Sequence, residues 1–419
     1  MTDDRRPIVS PARLGPSSRL FVARAIGLTA SIVTVLITAR VLGPEGRGHV
    51  ASFAVLTMTA STILGFGMGI GAYSLTASDG VDATALAPPF VLWACLVVGA
   101  TTVIALATGA VGLLEAWVGP GGVILAPMAG LAAGTQFLSL GFTQFATGLG
   151  RSGVTALGYG LPSICIMIAT LVAAVVMPSE PGFIGAQVAG WIVAATAMVV
   201  VLGLPIRPSS RGLRRLVARA RTAGVGEVAN ALSYRLDVLI LGPISGAGSV
   251  GIYSLAVQVL EPIWIVSSAA STGLLIRLRN IPRSEWWKTT SATLPLVIGL
   301  TALGAAGAIV LLPIMIAFVG RGFDQSQQVA LVLAPGIVML AVSKVLAAYN
   351  IASGRLGMSS FVGVATVVVT TALDLALMPR FGAIGAGIAS SVGYGLSMVI
   401  WIVASRRLAQ RPDIANRPA

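Results

Sequence analysis

The sequence predicts an all-α polytopic membrane protein: about twelve transmembrane helices in two parallel six-helix lobes, with both chain ends in the cytoplasm. Three observations carry this expectation. Of the 419 residues, 56% are hydrophobic and 10% charged, whereas a soluble domain carries roughly 25% charged residues. The apolar sequence falls into runs long enough to cross ~30 Å of hydrocarbon. A basic break near the middle of the chain separates those runs. It holds Arg207, Arg211, Arg214, Arg215, Arg219 and Arg221 and no acid, the composition of a cytoplasmic loop between spans.

In chain order, residues 1–19 read as a polar cytoplasmic tail with Arg5, Arg6, Arg13 and Arg19. The expected spans are Leu20–Val41, Val50–Gly71, Pro88–Ala110, Val123–Thr147, Gly153–Met177, Phe183–Leu204, Ala223–Gly242, Ser249–Leu275, Ser291–Val319, Gln328–Asn350, Gly357–Met378 and Gly382–Ala404. The first six make an N-terminal lobe, residues 20–204. Residues 205–222 are the basic linker, 223–404 the C-terminal lobe and 405–419 a second cytoplasmic tail. The first run is long enough to span and lacks a small-residue cleavage site, so it reads as a retained helix.

Charge sets the orientation. With the N-terminus inside, four of the 27 basic residues, Arg40, Arg47, Arg321 and Arg380, fall in outer loops. Arg24, Arg235 and Lys344 fall within spans, which leaves twenty on the cytoplasmic side and makes both termini cytoplasmic. The net charge of +13 is therefore a topology signal and gives no reason to expect a nucleic-acid partner.

The chain repeats itself. Leu42-Gly43-Pro44 returns as Leu241-Gly242-Pro243, Ala51–Val55 as Tyr253–Val257, Gly150-Arg151 as Gly354-Arg355, and Ile184-Gly185-Ala186 as Ile384-Gly385-Ala386. Similar offsets, 199 to 204, argue for a duplicated six-helix unit. An even number of helices gives both copies the same direction, and substrate sites tend to lie at the interface of such repeats.

Several of these residues also carry a resemblance. Ala39–Gly48, Val250–Ala256 and Arg380–Ala386 resemble turn segments of bacterial polysaccharide-biosynthesis flippases of the multidrug/oligosaccharidyl-lipid/polysaccharide exporter superfamily. The resemblance implies two lobes of MATE-like arrangement in the bacterial cytoplasmic membrane. It implies alternating access and transfer of undecaprenyl-linked sugars to the outer leaflet, alongside glycan-assembly proteins. Cationic cavity residues on the first helix also belong to the family pattern.

Ionisable groups within spans cost at least ~2.5–3.5 kcal/mol at mid-depth and therefore mark function unless they reach the headgroups. Here they are Arg24, Glu227, Arg235, Asp237, Glu261, Lys344 and Asp374. Arg24, Arg235 and Lys344 are the cationic candidates for an anionic diphosphate, since guanidinium meets phosphate bidentately. Each has a structural alternative: snorkelling for Arg24, pairing with Glu261 or Asp374 for Arg235, and pairing with Asp374 for Lys344. On the seventh span Glu227, Asn230, Tyr234 and Asp237 recur at i, i+3, i+7 and i+10, within an arc of ~80° that should face the bundle interior. Asn230, Tyr234 and Gln136 are the neutral cavity candidates. Glu227, Asp237, Glu261 and Asp374 are the candidates to couple transport to H⁺ or Na⁺.

No other cofactor is expected. Cys95 and Cys165 lie inside apolar runs and read as packing residues. The single histidine, His49, has no metal partner in sequence. No Gly-Lys-Ser/Thr loop is present, so ATP is not expected to drive transport directly. Short outer loops with little acid–base equipment argue against a membrane glycan polymerase. A cation-coupled multidrug antiporter of the same superfamily is the main alternative to a lipid-linked glycan flippase. Gly65, Gly67, Gly69 and Gly71 have the wrong period for a packing stripe and suggest a bend.

Overall fold

The computed structural model describes residues 16–353 and 356–410. Most of the expected tail 1–19, Arg411, Arg417, Gly354-Arg355 and the side chains of Asn230 and Arg279 lie outside the described residues. Every regular element described is helical: α1 Pro16–Gly65, α2 Met68–Ala77, α3 Ala83–Ala110, α4 Glu115–Val118, α5 Ala126–Gly148, α6 Ser152–Val176, α7 Glu180–Leu202, α8 Leu213–Leu260, α9 Trp264–Arg279, α10 Trp286–Val319, α11 Gln325–Ala352 and α12 Leu356–Ala409, with three short 3₁₀ turns. Among the described residues nine helical segments are long and apolar enough to cross a membrane.

Three of these are hairpins. A straight helix of 50 residues would run ~75 Å, far beyond a bilayer core, and α1 avoids this by turning at Gly43, φ 69°. Arg24 on its first arm lies over the Tyr159 ring, and Ser61 and Thr62 on its second arm share a cleft with that tyrosine. The arms therefore lie side by side. α8 turns at Gly246, φ 79°. Arg235 and Glu261 touch at 2.9 Å across that turn, although 26 helical residues would separate them by ~39 Å. α12 turns at Gly382, φ 54°. The loops expected after the first, seventh and eleventh spans are thus single positive-φ glycines, a conformation that L side chains resist.

This geometry corrects one repeat. The equivalent of Gly43 is Gly246, at an offset of 203, and Gly242 of the second Leu-Gly-Pro motif lies within the helix before the turn. Pro243 has no N–H, so the Leu239 carbonyl loses its usual donor. The Trp117 indole, on α4, donates to that carbonyl at 2.8 Å, and the helix runs on to Gly246. Trp117→Phe keeps the ring and removes the donor. It should cost ~1–3 kcal/mol, the price of one unsatisfied buried carbonyl, read as a lower thermal midpoint in detergent. An unchanged midpoint would contradict this account.

Helices α1, α3, α5, α6 and α7 pack on one another, as do α8 to α12, and α1 against α8 forms the seam. At the Gly43 end the seam is reciprocal. A Cβ on Gly48 would lie 1.8 Å from the Ala247 carbonyl oxygen, and one on Gly251 would lie 1.9 Å from that of Pro44. Both pairs keep the offset of 203, so a pseudo-twofold axis passes between them. Within the N-terminal half, Gly130, Gly134 and Gly141 of α5 admit Thr102, Val98 and Phe90 of α3 at closer range than any Cβ would allow. Such small-residue contacts let membrane helices approach without a hydrophobic driving force.

The opposite end of the seam holds the glycine run. Phe66 (φ 39°) and Gly67 (φ 74°) break the helix between α1 and α2. The break leaves the Leu64 carbonyl without its helical donor, and the Trp93 indole occupies it at 2.8 Å. Gly67 and Gly71 admit Ala220 of α8. The linker expected over 205–222 is helical from Leu213. Leu213, Leu216, Val217 and Ala220 form its buried face, an i, i+3, i+4, i+7 pattern. On its polar side Arg219 and Arg215 meet Asp79 at 2.6 and 3.5 Å.

Candidate functional site

A cleft of about 360 Å³ lies at the seam, between the two halves. Its walls come from both arms of α8, the first arm of α1, α6, α9 and α11, because the hairpins bring residues distant in sequence to one level. Arg24 is exposed and stands 4.5 Å over the Tyr159 ring. Arg235 pairs with Glu261, both mostly buried, with side-chain exposures of 25% and 14%. The two charges touch without a well-aligned hydrogen bond, since Glu261 Oε1 has no partner of good geometry. Lys344 lies 5.0 Å from the Trp264 ring centroid and 5.9 Å from that of Tyr234. Gln258 donates to Ser31 Oγ at 3.1 Å across the seam. Among the described residues, three cations therefore line this cleft against the single carboxylate of Glu261.

Lys344 also reaches a second pocket of about 300 Å³, enclosed by α8, α11 and both arms of α12. The alternative pairing of Lys344 with Asp374 is not formed. The Asp374 carboxylate is fully buried and neither oxygen has a partner among the described residues, while Lys344 is held over aromatic faces that attract a cation.

The four-residue stripe of the seventh span does not act as one surface. Glu227 and Asp237 are ten residues and so ~15 Å apart along the helix, and each level of α8 meets different neighbours. Glu227 lines a smaller cleft with Ser61, Thr62, Gln144 and Tyr159. Tyr234 lines the C-terminal pocket. Asp237 is buried and accepts hydrogen bonds from the Tyr253 hydroxyl, the Val238 N–H at 2.8 Å and Ser390 Oγ at 3.4 Å. Asn230 falls outside the described side chains. Gln136 is buried within the N-terminal half, 5% exposed, with an unpartnered Oε1, and lines none of these three cavities. It packs where α5 meets its own lobe, one residue from the Phe137 ring stacked on Phe90 at 4.4 Å.

Sequence reasoning did not single out Tyr159, Gln258 or Trp264. Gln258 carried a signal, a polar side chain inside an apolar run, whereas Tyr159 and Trp264 read as ordinary aromatics of a span. Sequence reasoning also did not pair His49, which meets Glu180 at 2.8 Å. Both cysteines are free, and no cluster of three metal-ligating side chains occurs among the described residues.

Helical hairpins and long apolar helices packed in two halves define a class, the multi-pass all-helical membrane protein. The chain belongs to the polysaccharide biosynthesis protein family, whose profile matches residues 18–276. That match takes in Arg24, Arg235 and Glu261 and ends before Lys344. The fold is shared with the lipid II flippase MurJ in an inward closed conformation, at TM-score 0.75 and 13% identity over 93% of this chain and 87% of that one. It is also shared with an inward-facing multidrug resistance MATE family transporter of the MOP superfamily, at TM-score 0.76 and 14% identity over 96% and 100%. An outward-facing MATE structure overlaps less well, at TM-score 0.66 and 15% identity over 95% and 96%. No curated protein sequence matches the chain.

Proposed function

We propose that this chain carries a lipid-linked anionic glycan, an undecaprenyl diphosphate oligosaccharide, across the bacterial cytoplasmic membrane by alternating access. The single observation behind this reading is the excess positive charge of the seam cleft, Arg24, Arg235 and Lys344 against Glu261. A diphosphate supplies the missing negative charge, and Arg24, exposed and without an acidic partner in the cleft, is free to meet it. Nine long helices among the described residues, three of them doubled back, support a reading of twelve crossings in two six-helix lobes, and the basic residues of the expected inner loops favour cytoplasmic termini. In that orientation the Gly48/Gly251 seam is the closed outer gate and the cleft opens inward. The cargo chemistry and cleft need no catalytic group, so the chain acts as a transporter working beside glycan-assembly enzymes. Cells lacking the chain should accumulate a diphospholipid-linked glycan, and Arg24→Ala should fail to clear it. Clearance by Arg24→Ala at the normal rate would remove Arg24 from the site, and an unchanged lipid pool in the deletion would remove the function.

A second reading concerns the driving ion and rests on Asp374, whose two oxygens are buried and unpartnered within electrostatic reach of Asp237. An uncompensated buried carboxylate is costly. We read this pair, with Tyr253 and Ser390, as the H⁺ or Na⁺ coupling site, while Glu261 is committed to Arg235 and Glu227 to the smaller cleft. A multidrug antiporter would share such a site, but a cationic drug is repelled by a cleft with two net positive charges. Asp374→Asn is expected to remove the dependence of transport on a Na⁺ or H⁺ gradient while cargo still binds. Retained gradient dependence would contradict this assignment.

A further inference from the structure

The pocket enclosed by α8, α11 and α12 is not used by either the diphosphate or the ion. Its lining combines hydroxyls with aromatic faces. Ser343, Ser359, Thr366 and Ser397 bring hydroxyls to it, and Tyr394 and Trp401 bring aromatic faces. The hydroxyls of Ser343 and Thr366 already donate to helix carbonyls, at 3.0 and 2.8 Å, so their lone pairs remain as acceptors. Ser359 Oγ is buried with no partner. A buried hydroxyl without a partner is costly, and a ligand hydroxyl in the pocket would satisfy Ser359. The volume, about 300 Å³, is that of a small ligand pocket.

Lys344 is common to this pocket and the seam cleft. In a lipid diphosphate glycan the first sugar is bonded directly to the distal phosphate, so a sugar site has to adjoin the phosphate site, as this pocket does. We infer that the C-terminal pocket is a subsite for the first sugar of the cargo, an inference that rests on the function proposed above. Its hydroxyls accept from and donate to the sugar's hydroxyls, and the aromatic faces cover the apolar C–H face of the ring. Hydroxyls and aromatic faces of this kind suit a neutral hexose or N-acetylhexosamine.

The test uses the purified full chain and two probes: undecaprenyl diphosphate, and the same lipid bearing one N-acetylglucosamine. The unsubstituted protein should bind the glycosylated lipid at least tenfold more tightly than the bare lipid. In a Ser359→Ala/Thr366→Val chain that preference should vanish while the bare lipid, as the internal control for folding, binds within twofold of its original affinity. Arg24→Ala should weaken both lipids alike. Equal binding of the two lipids by the unsubstituted protein would overturn the sugar subsite and leave the transport reading standing, with the pocket an aqueous space. A preference that survives the double substitution would also overturn it. If neither lipid binds, the function proposed above fails and the subsite falls with it.

Discussion

Arg235→Ala is expected to give the largest loss of any single substitution in the cleft, in both stability and transport. The guanidinium is the partner of Glu261, whose side chain is 14% exposed. Removing one member of a buried pair strands the other charge and typically costs ~3–5 kcal/mol, most of it from the orphaned ion. Stability and function can be separated by a second substitution. Arg235→Ala/Glu261→Ala removes both charges together and should recover most of the thermal midpoint. It leaves the cleft's excess of two positive charges unchanged, so any lipid affinity that is not recovered measures direct contact of the Arg235 guanidinium with the diphosphate. If the double variant regains full lipid affinity, Arg235 is a structural ion alone and the cleft's positive excess is carried by Arg24 and Lys344.

Gly48→Val is the second. The new Cβ would fall 1.8 Å from the Ala247 carbonyl oxygen, a backbone atom that no rotamer change moves aside. Overpacking of this kind costs ~1–3 kcal/mol, and here the cost falls on the closed seam at the Gly43 end and not on either half alone. About 1.4 kcal/mol would shift the balance between closed and open forms roughly tenfold. With Cys95 and Cys165 replaced, a reporter in Ser249→Cys should then react faster with a membrane-impermeant maleimide by about that factor. Gly99→Val is the control, since nothing lies within 4 Å of a Cβ there. Equal labelling rates for the two variants would mean that the Gly48 contact does not hold the gate.

Both predictions rest on features that the sequence revealed unevenly. The all-helical membrane fold was legible because hydropathy acts locally and recurs along the chain. The turns fell where loops were expected, but the turning glycine of the second half did not, because Gly242-Pro243 carries the Gly-Pro signal and the chain turns at the later Gly246. That choice depends on Trp117 from the other half, which occupies the carbonyl that Pro243 leaves free. The cleft was half legible. Arg24, Arg235, Lys344 and Glu261 stood out as charges in apolar runs, and they do converge. Tyr159 and Trp264, which orient two of those cations by their rings, did not, since an aromatic in a membrane span is ordinary packing. The stripe on the seventh span had sound angular arithmetic, but facing inward is not the same as facing one cavity. Height along the helix decided which neighbours Glu227, Tyr234 and Asp237 met.

The central claim is that this chain moves an anionic lipid-linked glycan between leaflets. The direct measurement reconstitutes the chain in vesicles with a fluorescent undecaprenyl diphosphate glycan and follows its accessibility to an impermeant quencher from one side. The account predicts accessibility that changes with time in vesicles holding the chain and stays at the empty-vesicle level with Arg24→Ala/Arg235→Ala. Glycan that remains in its leaflet while the same vesicles take up a cationic dye would contradict it and assign the cleft to drug export.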